Sequence, residues 1–174
     1  MIISLPAGGA LVLLIGPSGA GKSTFAARHF APTEVLSSDG MRAMVADDPN
    51  DQQATDAAFE LLHTALSLRL AGRRLTVVDA TNVEAWARQP PLAIARRYGR
   101  PAAAIVFAIP LDVCLRRNAA RPAPLPPAAI RRQHRWLAGA LESLPGEGFA
   151  ATWVLSSEEE VNAAQTDRQA LAGS

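Results

Sequence analysis

The chain is short of the residues that define several common kinds of protein. It has a single cysteine, Cys114, among its 174 residues. That excludes an intramolecular disulfide and fits a reducing, cytoplasmic compartment. The expected place for Cys114 is the apolar face of a helix. The formal net charge is only +1. No global field therefore draws the protein to nucleic acid, and any such affinity must come from a local basic patch. No uninterrupted apolar run is long enough to cross a bilayer, so no membrane partner is expected. The N-terminal apolar segment has no basic leader, so no signal peptide is expected either. His29, His63 and His134 have neither metal-ligand spacing nor partnering cysteines, which leaves no zinc site. There is no Ser–His–Asp or Cys–His constellation and no internal repeat. Against these absences, hydrophobic residues make up 49% of the chain, enough for a substantial core. The length suits one domain spanning 1–174.

What is there is concentrated in one stretch. Gly16-Pro17-Ser18-Gly19-Ala20-Gly21-Lys22-Ser23 fills every fixed position of the phosphate-binding pattern G-x-x-x-x-G-K-[ST]. The apolar run Ala10–Ile15 before it reads as a strand, and Ser23–Arg28 after it reads as a helix. That strand–loop–helix setting is what the motif requires. The glycines let the backbone curl until successive N–H groups face phosphate oxygens, and the helix adds its positive end. The expected nucleotide-binding set is Gly16, Ser18, Gly19, Ala20, Gly21, Lys22, Ser23 and Thr24, with ATP or another NTP as phosphate donor. Lys22 is expected to reach the β- and γ-phosphates, and Ser23 to hold Mg²⁺ or Mn²⁺.

Short apolar runs recur at Ala10–Ile15, Glu34–Leu36, Leu75–Asp79, Ala103–Ile109 and Ala151–Leu155, with helical segments between them. Strands alternating with helices predict an α/β fold: a P-loop kinase-type parallel β-sheet flanked by helices, with a helical, arginine-bearing lid at about 116–130. Phe59, Leu62, Leu66 and Leu70 recur at helical spacing within a helix from Ala54 to Leu70, which Gly72 is placed to stop. Pro90-Pro91 is expected to interrupt the next helix and begin a fresh one ending at Gly99. Pro126-Pro127 should open a helix over Ala128–Leu144. Ser156-Ser157-Glu158-Glu159-Glu160 offers a capping box. The tail, 165–174, gives little signal and is expected to fray.

Ligands of such sheets collect at the carboxyl ends of the strands. There the sequence delivers the P-loop, then Ser37-Ser38-Asp39, then Asp79-Ala80-Thr81-Asn82, then a helix carrying Arg116, Arg117 and Arg121. Asp39 reads either as a first-turn acid on a serine-capped helix or as the general base for an acceptor hydroxyl. Arg42, three residues on, either pairs with Asp39 or grips a phosphate on the acceptor. Asp79 reads as the acid of the Mg²⁺ shell, or more plainly as a strand-end turn residue. Arg117 and Arg121, four apart on one helix face, suit the charge of a transferring phosphoryl group. The plainer reading makes them solvated surface arginines. The segment Arg121–Pro127 is too proline-rich for helix and reads as a stiff lid. Arg131, Arg132 and Arg135, with Trp136 among them, form either an acceptor-contacting patch or a solvated face with Trp136 turned to the core. Trp86 and Trp153 read as core or cleft lining.

Taken together, the P-loop, Glu34-Val35-Leu36-Ser37-Ser38-Asp39, Asp47-Asp48-Pro49-Asn50-Asp51-Gln52, Leu75–Val83 and Cys114–Arg121 resemble the polynucleotide 5′-hydroxyl kinase module of bacterial RNA-repair end-healing enzymes. The resemblance runs in order from about Leu11 to Leu155. It implies transfer of the γ-phosphate of an NTP to the 5′-OH end of RNA or DNA. It also implies Asp39 as general base, Lys22, Arg117 and Arg121 as catalytic partners, and Arg42 with Gln52 on the acceptor. Ser23 and Asp79 would be the metal-binding pair. The implied partner is a phosphatase or ligase module, in a longer protein or as a separate one. The proline-rich lid departs from the more polar lid of that family.

Two other readings share these residues. A P-loop kinase of a small metabolite would keep the P-loop and the lid arginines but give Arg42 no phosphate to bind. A nucleotide-binding switch without transfer activity would need no base at Asp39.

Overall fold

The computed structural model describes residues 1–6 and 8–168. Among the described residues there are seven strands: β1 (Ile2–Leu5), β2 (Leu11–Ile15), β3 (Val35–Ser37), β4 (Thr76–Asp79), β5 (Ala102–Phe107), β6 (Ala151–Leu155) and β7 (Gln165–Arg168). The same residues form seven α-helices: α1 (Lys22–His29), α2 (Ser38–Ala46), α3 (Thr55–Ala71), α4 (Ala85–Arg97), α5 (Leu111–Ala119), α6 (Pro127–Ser143) and α7 (Glu158–Ala163).

Five strands form one parallel sheet in the order β3-β4-β2-β5-β6. Strand β2 sits at its centre and all five of its residues are buried. This is why it reads as an unbroken aliphatic run: both faces are covered. Its side chains alternate between two cores. Leu11, Leu13 and Ile15 join Leu62, Leu66 and Leu70 of α3 and Leu92 of α4. Val12 and Leu14 join Phe25 of α1, Cys114 of α5 and Ile3 of β1. Cys114 is fully buried in that second core, as its apolar setting predicts. Because every strand of this sheet runs the same way, their carboxyl ends share one edge.

The structure departs from the sequence reading in three places. Helix α4 runs unbroken through Pro90 and Pro91. Each proline removes a backbone bond, but the helix is anchored on both sides of them: Arg88 is bonded to three other segments, and Pro91 and Leu92 are buried. Arg121 is not on the helix with Arg117. Helix α5 ends at Ala119 because Pro122 disfavours helical backbone at the residue before it. Helix α3 stops where expected, with Gly72 at its C-cap, and the residue after it, Arg73, takes the left-handed conformation at φ 56°. The segment expected to fray begins instead with β7, which pairs in parallel with β1 through Ile2–Gln165, Ile3–Thr166, Ser4–Asp167 and Leu5–Arg168. Residues 169–174 lie outside the described residues. Among the described residues no helix is long and apolar enough to cross a membrane.

Candidate active site

The P-loop leaves β2 at Gly16, whose N–H donates to Thr81 O at 2.8 Å and ties the loop to the end of β4. At Gly19 φ is +83°, and a Cβ there would lie 2.4 Å from the carbonyl oxygen of Cys114. Only glycine lets the loop pass that close to α5. Gly21, also at positive φ, caps α1 without any side-chain bond. No side-chain cap therefore takes the N–H groups of that first turn, which leaves them free to meet an anion. The Ser18 N–H donates to Oε1 of Gln133 on α6 at 2.8 Å. Gly16 and Ala20 are buried and shape the loop from beneath.

Lys22 is buried, and its Nζ donates to Gly16 O at 2.8 Å and Pro17 O at 2.9 Å. Burial pulls its pKa down to about 8, opposed by the negative charge of Asp79. Asp79, at the tip of β4, is pushed above the usual carboxylate range by burial, with the Ser23 hydroxyl and Lys22 pulling the other way. Ser23 and Asp79 thus bring two hard oxygen donors together beside the loop. This fits Mg²⁺ or Mn²⁺, which take much of their coordination from water and phosphate and need few protein ligands. Among the described residues no cluster of three or more His, Cys, Asp or Glu is arranged to hold a metal.

Across the cleft, Ser37 caps α2 by accepting from Gly40 N at 3.3 Å, which sets Asp39 in the first turn. The Arg42 guanidinium donates to Asp39 Oδ1 at 2.7 Å and to Thr55 Oγ1 of α3 at 3.3 Å. The intrahelical ion pair is therefore formed. Asp39 is largely exposed while Arg42 is nearly covered. Gln52 is held on the loop before α3 by a bond to Asn50 O at 3.1 Å. On the far side, Arg117 donates to Glu158 Oε1 at 2.5 Å and to Gly19 O at 3.5 Å. Arg121 has no ion-pair partner among the described residues. Its charge adds to the downward shift at Lys22, which burial dominates, and works weakly against the upward shift at Asp79. The proline-rich loop that carries it is held by Asn118, which accepts from Leu125 N and donates to Leu125 O.

One cleft of about 630 Å³ is lined by Ser18, Gly19, Gly21, Lys22, Ser23, Thr24, Asp39, Arg42, Gln52, Asp79, Arg117 and Arg121. Of the expected set, only Gly16 and Ala20 do not line it. Arg132 lines it too, and its guanidinium lies 5.2 Å from the ring centroid of Trp136. Trp136 is 37% exposed rather than turned into the core. Trp86 lines the cleft, while Trp153 packs on the core beneath the sheet. Gln133 escaped the sequence reading. No local pattern signals a bond between residues 115 positions apart.

A family model described as AAA domain matches residues 11–140. Among curated proteins there is no match. The chain is similar in structure to a chain of the Pnkp1/Rnl/Hen1 RNA repair complex, with TM-score 0.68 and 22% identity over 80% of this chain. It spans 47% of that chain, about half its length. It is also similar to Mycobacterium tuberculosis APS kinase CysC in complex with AMPPNP and APS. There the TM-score is 0.52 and the identity 21%, over 79% of this chain and 100% of that one. A third similarity is to AvrRxo1-ORF1:-ORF2 with ATP, with TM-score 0.66 and 12% identity over 88% of this chain and 56% of that one. The fold is that of the P-loop kinases.

Proposed function

This chain belongs to the AAA domain family, and from that premise we propose that it transfers the γ-phosphate of ATP or another NTP to the 5′-hydroxyl end of RNA or DNA. One observation carries the reading. Asp39 and Arg42, paired at 2.7 Å, line the same cleft as Lys22, Ser23 and Asp79. An acid for a hydroxyl and a cation for a phosphate thus stand together opposite a nucleotide site.

In this reading the N–H groups of the P-loop and the first turn of α1 hold the donor phosphates. Lys22 Nζ turns from the two loop carbonyls to the β- and γ-phosphates. Ser23 and Asp79 would hold the divalent cation, which would supply neutralisation of the phosphate charge. The acceptor 5′-OH lies against the Asp39 carboxylate, which takes its proton as the new O–P bond forms. The bond from the γ-phosphorus to its bridging oxygen breaks, and the electron pair leaves with the nucleoside diphosphate. Lys22, Arg117 and Arg121 meet that charge. The N–H groups of Arg42 not used by Asp39 and Thr55 bind the phosphate 3′ of the acceptor nucleoside. A phosphatase or ligase, in a longer protein or as a separate one, is the fitting partner for such a step.

A second reading, a kinase of a small metabolite, is favoured by the engagement of Arg42 with Asp39 and Thr55, which leaves it fewer donors for a phosphate. The two readings differ in one assay. With ATP and Mg²⁺, a nucleoside 3′-phosphate should be a better acceptor than the plain nucleoside. A charged hydrogen-bonded contact of about 1.5–3 kcal/mol corresponds to about 10- to 150-fold in kcat/KM. Arg42→Ala should erase the difference. Equal use of both acceptors by the wild type favours the metabolite reading.

A further inference from the structure

A second cavity, of about 690 Å³, opens between α3 and α4. Its size lies within the range of about 300–1,000 Å³ usual for small-ligand sites. It is not separate from the cleft: Thr55, Phe59, Trp86 and Ala87 line both. Thr55 is also the residue that Arg42 touches. A phosphate held by Arg42 therefore stands at the junction of the two spaces.

The groove has its own chemistry. Among the described residues, no lysine or arginine lines it, whereas Asp56 and Glu60 do. Burial holds the His63 pKa below its ordinary value, so this residue adds no positive charge at neutral pH. A polyanionic backbone is repelled from such a surface. A flat, uncharged ring is not. Trp86 stands at the mouth with 66% of its surface exposed, and Phe59 lies on the facing helix. So large an exposed aromatic beside a phosphate-binding cleft suits the stacking of a base.

We propose that the α3–α4 groove receives the base of the second acceptor nucleotide, stacked on Trp86, while its sugar–phosphate backbone stays outside. This rests on the polynucleotide reading and deepens it: the 5′-OH lies at Asp39, the first phosphate at Arg42, and the next base in the groove. The enzyme then distinguishes an oligonucleotide from a mononucleotide without a basic track along the strand.

The test uses three acceptors with the 174-residue chain: a nucleoside 3′-phosphate, a dinucleotide, and the same dinucleotide with an abasic second position. The dinucleotide should exceed its abasic analogue by about 5- to 150-fold in kcat/KM, the range that one stacked base carries. Trp86→Ala should bring that ratio close to one, and Trp86→Phe should retain most of it. Thermal melting of the variants checks that the fold is kept. A wild type that phosphorylates the nucleoside 3′-phosphate but treats the dinucleotide and its abasic analogue alike overturns the groove assignment alone. So does a ratio that survives Trp86→Ala. A wild type that phosphorylates none of the three overturns the polynucleotide reading, and the groove assignment with it.

Discussion

Replacing Arg88 by methionine should cost the protein several kcal/mol, although Arg88 touches neither Lys22 nor Asp39. Its side chain is fully buried. Its Nε and one terminal nitrogen grip the Glu147 carboxylate at 2.7 and 2.5 Å, and it reaches Ser143 Oγ at 3.0 Å and Asn82 O at 2.8 Å. Helix α4 is thereby fastened to the end of α6 and to the turn that follows Asp79. Losing one member of a buried pair costs about 3–5 kcal/mol, because the other charge is left without a partner. Glu147 retains 17% side-chain exposure and can turn toward water. The lower end, about 3 kcal/mol, is therefore expected. Adding Glu147→Leu should recover much of the loss, since apolar packing often replaces a buried ion pair without penalty. Urea unfolding reads both, as a shift in midpoint at constant slope. The pH dependence follows as well. The bond from Arg88 is the chief cause that holds the Glu147 carboxyl below its ordinary range. Its contribution is complete above the unfolded pKa and is lost as pH falls through the lowered folded value. Wild-type stability should therefore fall more steeply in acid than that of Glu147→Gln. A loss under about 1 kcal/mol for Arg88→Met, or a double variant no better than the single one, would refute the reasoning.

Asp39→Asn should lower the rate of transfer by about 10²–10⁴-fold while ATP affinity, measured by calorimetry, stays near the wild-type value; a fully active variant removes Asp39 from the mechanism. Gly19→Ala puts a methyl group 2.4 Å from the Cys114 carbonyl at a φ of +83°. The loop must move, and ATP affinity should fall by about 5- to 30-fold, the equivalent of the roughly 1–2 kcal/mol of left-handed strain alone. Unchanged affinity would mean that the loop does not hold its phosphates in this conformation.

The parts of the fold that were legible in the sequence are those set by local rules. The three inner strands of the main sheet, β4, β2 and β5, are buried along their whole length, and β2 and β5 carry no polar residue because both faces are covered. The P-loop is visible because its glycines answer to backbone geometry rather than to distant partners. Strand β7 was hidden because Gln165-Thr166-Asp167-Arg168 is polar, and what defines it is backbone pairing with β1 at the other end of the chain. The continuity of α4 was hidden because proline propensity points the wrong way, and the anchoring bonds of Arg88 come from residues 55 and 59 positions away. Within the site, the strand-end residues gathered as their positions imply. The sequence offered the Arg42–Asp39 pair as one of two readings, but nothing in it revealed Arg117 engaged with Glu158 or Ser18 with Gln133. The helical spacing of Arg117 and Arg121 misled because the helix stops before Pro122.

Transfer of label from γ-labelled ATP, in Mg²⁺, to an oligonucleotide bearing a 5′-hydroxyl tests the proposed reaction most directly. The same strand already phosphorylated at its 5′ end serves as the control. Label on the 5′-hydroxyl strand alone, lost with Asp39→Asn, is the predicted result. A chain that binds ATP but labels neither strand would contradict it.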